Sequence, residues 1–347
     1  MTNEELKERY KGVSASSLSK FEISLKLFKA YIDKEIIEEE KPWLELGTKL
    51  HMYLLEPKEF EKNYIYLDFN TPSSAKQKEF CEELVKIKKY NSGNTLLDIK
   101  FADIAVEVYK SVYASAGKSD EKIKLEALKT ISTLTKYIEY LTIKDHYKEV
   151  INYSTLKFLG DAKTEIKKHS IASKLLFPSD TTSDIYSEER ILWEHPTVKI
   201  GNENLVLKSF LDRFIIDHQT KQIILVDLKT TSNIGEFEDS FKKYNYSRQL
   251  SMYWLAIHYW LNTVKDDNYK EKVKLYEFKS YIVVVQTPNN SNQIPIECRV
   301  YPIADETIQN EYQNLEILLQ EIAWHFENDI WDHTRSYYEN GGLEKSL

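Results

Sequence analysis

Between Leu205 and Thr231 the chain reads LVLKSFLDRFIIDHQTKQIILVDLKTT, and no other stretch constrains the fold as strongly. Two apolar, β-branched runs flank the polar turn Asp217-His218-Gln219-Thr220-Lys221, which is the pattern of a β-hairpin. Asp212 sits inside the first run, Asp227 ends the second, and Lys229 follows it on the same strand. A carboxylate inside an Ile/Leu/Val strand costs several kcal/mol unless it is paired or binds a metal. Two acids and a lysine on neighbouring strands therefore point to a hard-cation site with a cationic side chain beside it.

The rest of the chain bounds that reading. Its 347 residues are long enough to bury a sizeable core, and 42% hydrophobic with 29% charged residues is the composition of a globular protein. No apolar run approaches the ~20 residues that span a bilayer. The opening MTNEELKERYKG lacks the apolar core of a signal peptide. Cys81 and Cys298 stand alone and far apart, which excludes a disulfide scaffold or a zinc ribbon. A cytoplasmic protein without membrane partners is expected. The net charge of −8 argues against coating nucleic acid, yet leaves room for a local DNA-binding groove.

Residues 13–37 open on a serine cluster and then repeat Leu18, Phe21, Leu25, Phe28 and Ile32 at helical spacing. Ser14 and Ser16 read most simply as helix caps. A second helix, 43–56, carries His51, with Leu44, Leu50, Leu54 and Leu55 as its buried surface and Gly47 permitting a close backbone approach. Taken alone, His51 reads as a hydrogen-bonded core residue. Residues 72–176 are mostly helical, punctuated at Asn91-Ser92-Gly93-Asn94 and Gly117. Strands follow at 188–194, 205–216, 222–229, 279–287 and 296–303, with an amphipathic helix at 244–262 and a closing helix at 305–326. Gln249 and Tyr253 stand one turn apart on the first of these.

An Asp, a turn, then Asp-x-Lys resembles the signature of the PD-(D/E)xK nuclease superfamily. VDLKTT at 226–231 and the Gln249-x-x-x-Tyr253 pair are similar to motifs of its exonuclease VIII–type and RecB-type groups. LGTKLHMYLLEP at 46–57 resembles the histidine motif of the exonuclease VIII type. VSASSLSKF and EERILW are similar to the segments that open the family fold and precede its first metal acid. One departure is Ser209, where the RecB-type pattern often has glycine, and no cysteine cluster accompanies the site.

The resemblance implies an α/β (α+β) restriction-endonuclease-like core, a central mixed β-sheet flanked by helices with a large helical insert. Its domain plan is a single nuclease domain over 1–347. Residues 1–60 would carry the histidine motif, 72–176 the insert, and 186–330 the catalytic core. The implied ligands of Mg²⁺ or Mn²⁺ are His51, Asp212, Asp227 and the backbone carbonyl of Leu228. Lys229 is the implied catalytic lysine, acting with Asp212 and Asp227. Gln249, Tyr253, Ser14, Ser16 and Glu188 would support the site or the DNA. The implied activity is a metal-dependent DNA exonuclease on double-stranded ends, 5′ to 3′, of phage or prophage recombination. A single-strand annealing recombinase is an implied partner and a ring-shaped homo-oligomer an implied assembly. An endonuclease or defence-system nuclease of the same fold, and an inactive DNA-binding scaffold, stay open as alternatives.

Overall fold

A computed structural model describes residues 12–36, 42–66, 70–90, 99–113, 117–143, 149–179, 182–288 and 295–343. The chain divides into two compact units, Met1–Glu56 with Gly160–Leu347, and Pro57–Leu159.

In the larger unit, α1 (Ala15–Ile23) and α2 (Leu25–Ile32) replace the single helix expected over 13–37. Ser24 divides them, with extended backbone at φ −169°, and its hydroxyl accepts from the Leu27 N–H to start α2. The apolar spacing runs on through this corner because both helices bury the same face. Phe21 and Phe28 meet edge to face with ring centroids 5.3 Å apart. The helix α3 (Pro42–Leu55) buries Leu50, Leu54 and Leu55, but Leu44, expected to be buried, is 60% exposed. A short helix, α4 (Ser170–Leu176), leads into the sheet.

The central sheet is made of β1 (Ser183–Ile200), β2 (Glu203–Asp217), β3 (Gln222–Thr231), β4 (Glu277–Gln286) and β5 (Cys298–Ile303), in that spatial order. It is mixed: β3 and β4 run parallel, and every other neighbouring pair is antiparallel. β1 is much longer than 188–194, because it pairs with β2 along nearly its whole length. Pro196 hid that extension, and the register shifts around it between Glu194 and Lys199, where a proline costs no ladder bond. β2 pairs with β3 only from Arg213 onward. Part of the edge this leaves open is taken by Val13, whose N–H donates to Val206 O at 3.1 Å and whose C=O accepts from Lys208 N at 2.7 Å.

Between β3 and β4 the chain passes through α5 (Phe237–Lys243) and α6 (Tyr246–Val264), and α7 (Asp305–Asn328) follows β5. Leu250 and Ile257 of α6 and Leu315, Leu319 and Ile322 of α7 are fully buried in one core with Phe214, Leu225 and Ile282 of the sheet. This is a mixed α/β fold with a central sheet flanked by helices.

The smaller unit has a core of its own, built on Phe80, Leu84, Ala105, Ile123, Ala127 and Ile138 from four helices between Ala75 and Ile143. Within it Tyr64–Tyr66 and Glu149–Ile151 form a parallel two-stranded ladder that the helical reading of 72–176 did not contain. Three residues are too short a run for periodicity to register. Asn91 to Asn94 lie outside the described residues. No described helix is long and apolar enough to cross a membrane.

Candidate active site

The sheet register lines up three carboxylates. Ser187 pairs with Arg213 and Glu189 with Leu211, so Glu188 stands opposite Asp212 across β1 and β2. Arg213 pairs with Val226, so the next step along sets Asp212 opposite Asp227. The ladder stops there, and the Leu228 N–H donates to Asp212 Oδ2 instead, at 2.6 Å. Side chains directly opposite one another sit close, and like charges in such a row repel. In a strand a residue's N–H and C=O leave on the same side. The Leu228 carbonyl therefore faces the same gap as Asp212.

Glu188 has φ +53° in the middle of a strand. A side chain rarely takes this left-handed backbone, and such strain gathers at functional sites. It re-aims the Glu188 carboxylate toward α3. There Gly47 lies so close to β3 that a Cβ would come 3.0 Å from Thr230 Oγ1. One turn further along, His51 presents Nδ1 to both neighbouring acids, 3.4 Å from Asp212 Oδ1 and 3.8 Å from Glu188 Oε1.

Ligand atoms of His51, Glu188 and Asp212 all lie within 4.8 Å of one another. Octahedral ligands at about 2.1 Å from a cation stand roughly 3 to 4.2 Å apart, so this trio fits one with slight contraction. The donors suit it as well. Glu188 Oε1 and Asp227 Oδ2 are buried acceptors without a hydrogen-bond partner. Carboxylate oxygens with one imidazole favour Mn²⁺ or Mg²⁺, the nitrogen shifting preference toward Mn²⁺. The trio has Glu188 where the expected ligand set has Asp227.

Asp227 is 1% exposed and ion-paired with Lys229, which donates to Oδ1 at 2.8 Å. Nζ also lies 2.7 Å from Oδ2, so the ammonium contacts both carboxylate oxygens. Burial raises the Asp227 carboxyl to about 6, with Lys229 pulling it down and Asp212 pushing it up. Burial acts the same way on Asp212, but His51, Lys229 and the Leu228 N–H outweigh it and hold that carboxyl below its usual range. The two acids are thus split in acidity by their surroundings. Lys229 is pushed upward, since Asp227 and Asp212 overcome its desolvation, and it stays charged at any working pH.

The remaining expected residues fall into two groups. Gln249 Nε2 donates to Tyr253 Oη at 2.6 Å, and Tyr253, almost fully buried, lies within the field of Asp227 and Lys229. Ser14 and Ser16 are helix-cap residues: Ser14 forms a reciprocal capping box with Ser17, and its hydroxyl meets that of Ser16 at 2.9 Å. Sequence reasoning missed Tyr246, whose ring centroid is 5.1 Å from Lys229 Nζ. Its signal was its place on α6, three residues before Gln249 and seven before Tyr253, on one helix face.

Burial works to lower the His51 pKa, but Asp212 and Glu188 outweigh it and raise it from 6.5 to about 10. That proton stabilises the metal-free fold fully below pH 6.5 and ceases to do so as pH rises through about 10. A metal ligand must be deprotonated, so Mn²⁺ binding should strengthen with pH and release about one proton per ion near pH 8. Calorimetric titrations in buffers of different ionisation heat would read this, and His51→Gln should abolish the release. A wild-type protein that binds Mn²⁺ without releasing a proton would show that His51 is not a ligand.

Glu188→Gly separates stability from binding. Glycine takes φ +53° freely, which offsets its ~0.5–1 kcal/mol entropic cost, and the oxygen that is lost stands 3.8 Å from His51 Nδ1, beyond hydrogen-bond length. The melting temperature without metal should hold or rise while Mn²⁺ affinity falls at least tenfold. A fall in both would make Glu188 a structural residue only.

No family model matches the sequence, and no curated protein matches it. Among solved structures, a crystal structure from Eubacterium rectale described as a candidate exonuclease is similar, with a TM-score of 0.47 and 11% identity. The match covers 100% of this chain and 93% of that one. The chemistry rests on the side chains themselves.

Proposed function

We propose that this protein is a metal-dependent DNA exonuclease acting on double-stranded ends. The observation that carries the reading is the row Glu188, Asp212 and Asp227 on adjacent strands, closed by His51 and Lys229. Packing alone has no use for three acids side by side, two of them buried, because each costs desolvation and repels the next.

His51, Glu188 and Asp212 would hold the cation, with Asp227 and the Leu228 carbonyl as further oxygen donors. A bound Mg²⁺ or Mn²⁺ supplies polarisation of a phosphate and acidification of a water. Lys229 puts a fixed positive charge beside that site, where charge develops on a phosphodiester under attack. Asp227 anchors the ammonium from one side and the Tyr246 ring face lies on another. The Gln249–Tyr253 hydrogen bond ties together two side chains of α6, the helix that also brings Tyr246 to the lysine.

The test uses purified protein, Mg²⁺ or Mn²⁺, and end-labelled linear duplex beside a covalently closed circle of the same sequence. The expected result is loss of the linear duplex to short products with the circle intact, and no reaction in EDTA. Linearised circles would make the protein an endonuclease. Metal-independent binding without cleavage of either substrate would favour a scaffold.

A further inference from the structure

Beyond the carboxylate row, a cavity of about 400 Å³ opens past the carboxyl ends of the parallel strands β3 and β4. Its walls include Leu44 of α3, Thr231 and Ser232 at the end of β3, Ser240 of α5, and Tyr244 and Tyr246 where α5 passes into α6. We propose that this cavity is a nucleobase subsite: it takes one unpaired base of the cleaved strand, stacked on Tyr244, next to the phosphate that Lys229 addresses. The proposal rests on the nuclease reading and adds where the strand is gripped.

Three independent features of the cavity point to that occupant. The first is position. Thr230, also in its lining, follows Lys229 directly on β3, and Tyr246 joins the two places, its ring both walling the cavity and lying 5.1 Å from Lys229 Nζ. A group seated here shares the Tyr246 ring with Lys229 Nζ.

The second is chemistry. The described lining consists of hydroxyl residues and apolar or aromatic ones, with no charged side chain among them, in a chain of net charge −8. A phosphate-bearing strand meets no carboxylate in this wall. The hydroxyls both donate and accept, so they suit sugar and base edges. One of the aromatic residues is itself beside a cation: Lys243 Nζ lies 5.5 Å from the Tyr244 ring centroid. Aromatic faces with a neighbouring cation are the means by which proteins hold single-stranded nucleic acid without reading its sequence.

The third is exposure. Tyr244 is 55% exposed and Leu44 60% exposed, two large apolar surfaces left uncovered at one cavity. Tyr244 tilts against Tyr246 at 36°, with ring centroids 5.9 Å apart, so the two rings form one aromatic wall of the cavity. The size suits a single small group, within the roughly 300–1,000 Å³ of ligand sites, and is far too small for a duplex. The strand entering it must therefore be unpaired at that position.

An abasic walk tests this. Linear duplexes each carry one abasic residue at successive positions from the end, and degradation past it is timed with Mn²⁺ for the wild type, Tyr244→Ala and Tyr244→Phe. The wild type should pause at a single register, slowed roughly tenfold as expected for one lost base–aromatic stack. Tyr244→Ala should be slower on intact DNA, through KM rather than kcat, and indifferent to the abasic residue. Tyr244→Phe, which keeps the ring, should behave as wild type. Melting curves of all three should coincide, since the exposed ring is no part of the core. A wild type that shows no sensitive register, or a pause that survives in Tyr244→Ala, overturns the subsite and leaves the nuclease reading standing. A wild type that degrades no duplex overturns both.

Discussion

Asp227→Ala is expected to abolish metal-dependent cleavage, lowering turnover by more than about 10³-fold, beyond what one transition-state donor supplies. The side chain is 1% exposed and holds the Lys229 ammonium 2.8 and 2.7 Å from its two oxygens. Its removal would cost a bound cation one oxygen donor and leave Asp212 as the other acid acting on the lysine. Binding to DNA ends should survive. It should tighten in EDTA, since one fewer carboxylate repels the phosphate. Fluorescence anisotropy with an end-labelled duplex reads the binding, and product release from the same duplex reads the cleavage. Cleavage within tenfold of wild type would reduce Asp227 to the counter-ion of Lys229.

Lys229→Ala should cut turnover by roughly two orders of magnitude, the scale of removing one group that stabilises developing charge. Lys229 also bears on stability. It is the counter-ion of a buried carboxylate, and breaking such a pair costs up to about 3–5 kcal/mol. The sign with pH follows from Asp227. Its carboxyl is raised from 3.8 to about 6 in the fold, so protonation favours the folded state, and stability falls as pH climbs through that interval. Without the lysine, which pulls the carboxyl down, the interval should widen upward and the loss should grow. Melts at pH 5.5 and pH 8 should therefore differ more for Lys229→Ala than for wild type, and saturating Mn²⁺ should narrow the difference. Turnover of the variant at the wild-type rate would remove the nuclease assignment from this strand.

Much of the sheet was legible because its physics is local. Alternating or continuous β-branched runs, bounded by turn residues, place β2, β3 and β4 to within a few residues. The periodicity of Leu250, Trp254, Ile257 and Leu261 does the same for α6. Boundaries failed where a non-local partner overrode the local signal. β1 runs on through Pro196 because β2 lies alongside it, and Ser24 breaks a helix whose apolar spacing is continuous.

The site divides in the same way. By itself the sequence determined that Asp212, Asp227 and Lys229 lie in apolar strands joined by a turn, since burying charge there demands a partner. It also marked His51 and Gly47 on one helix and Gln249 and Tyr253 on another. Only the tertiary structure decided which of these meet. Glu188 enters the row through a cross-strand register and a left-handed φ, neither of which leaves a trace in composition or spacing. Tyr244, Leu44 and the end of β3 come from three separate segments, and their shared cavity exists only once the sheet and helices have packed. A strand's residue types record what it must bury. Which side chains face one another across a sheet is fixed by register and packing, and those are properties of the whole fold.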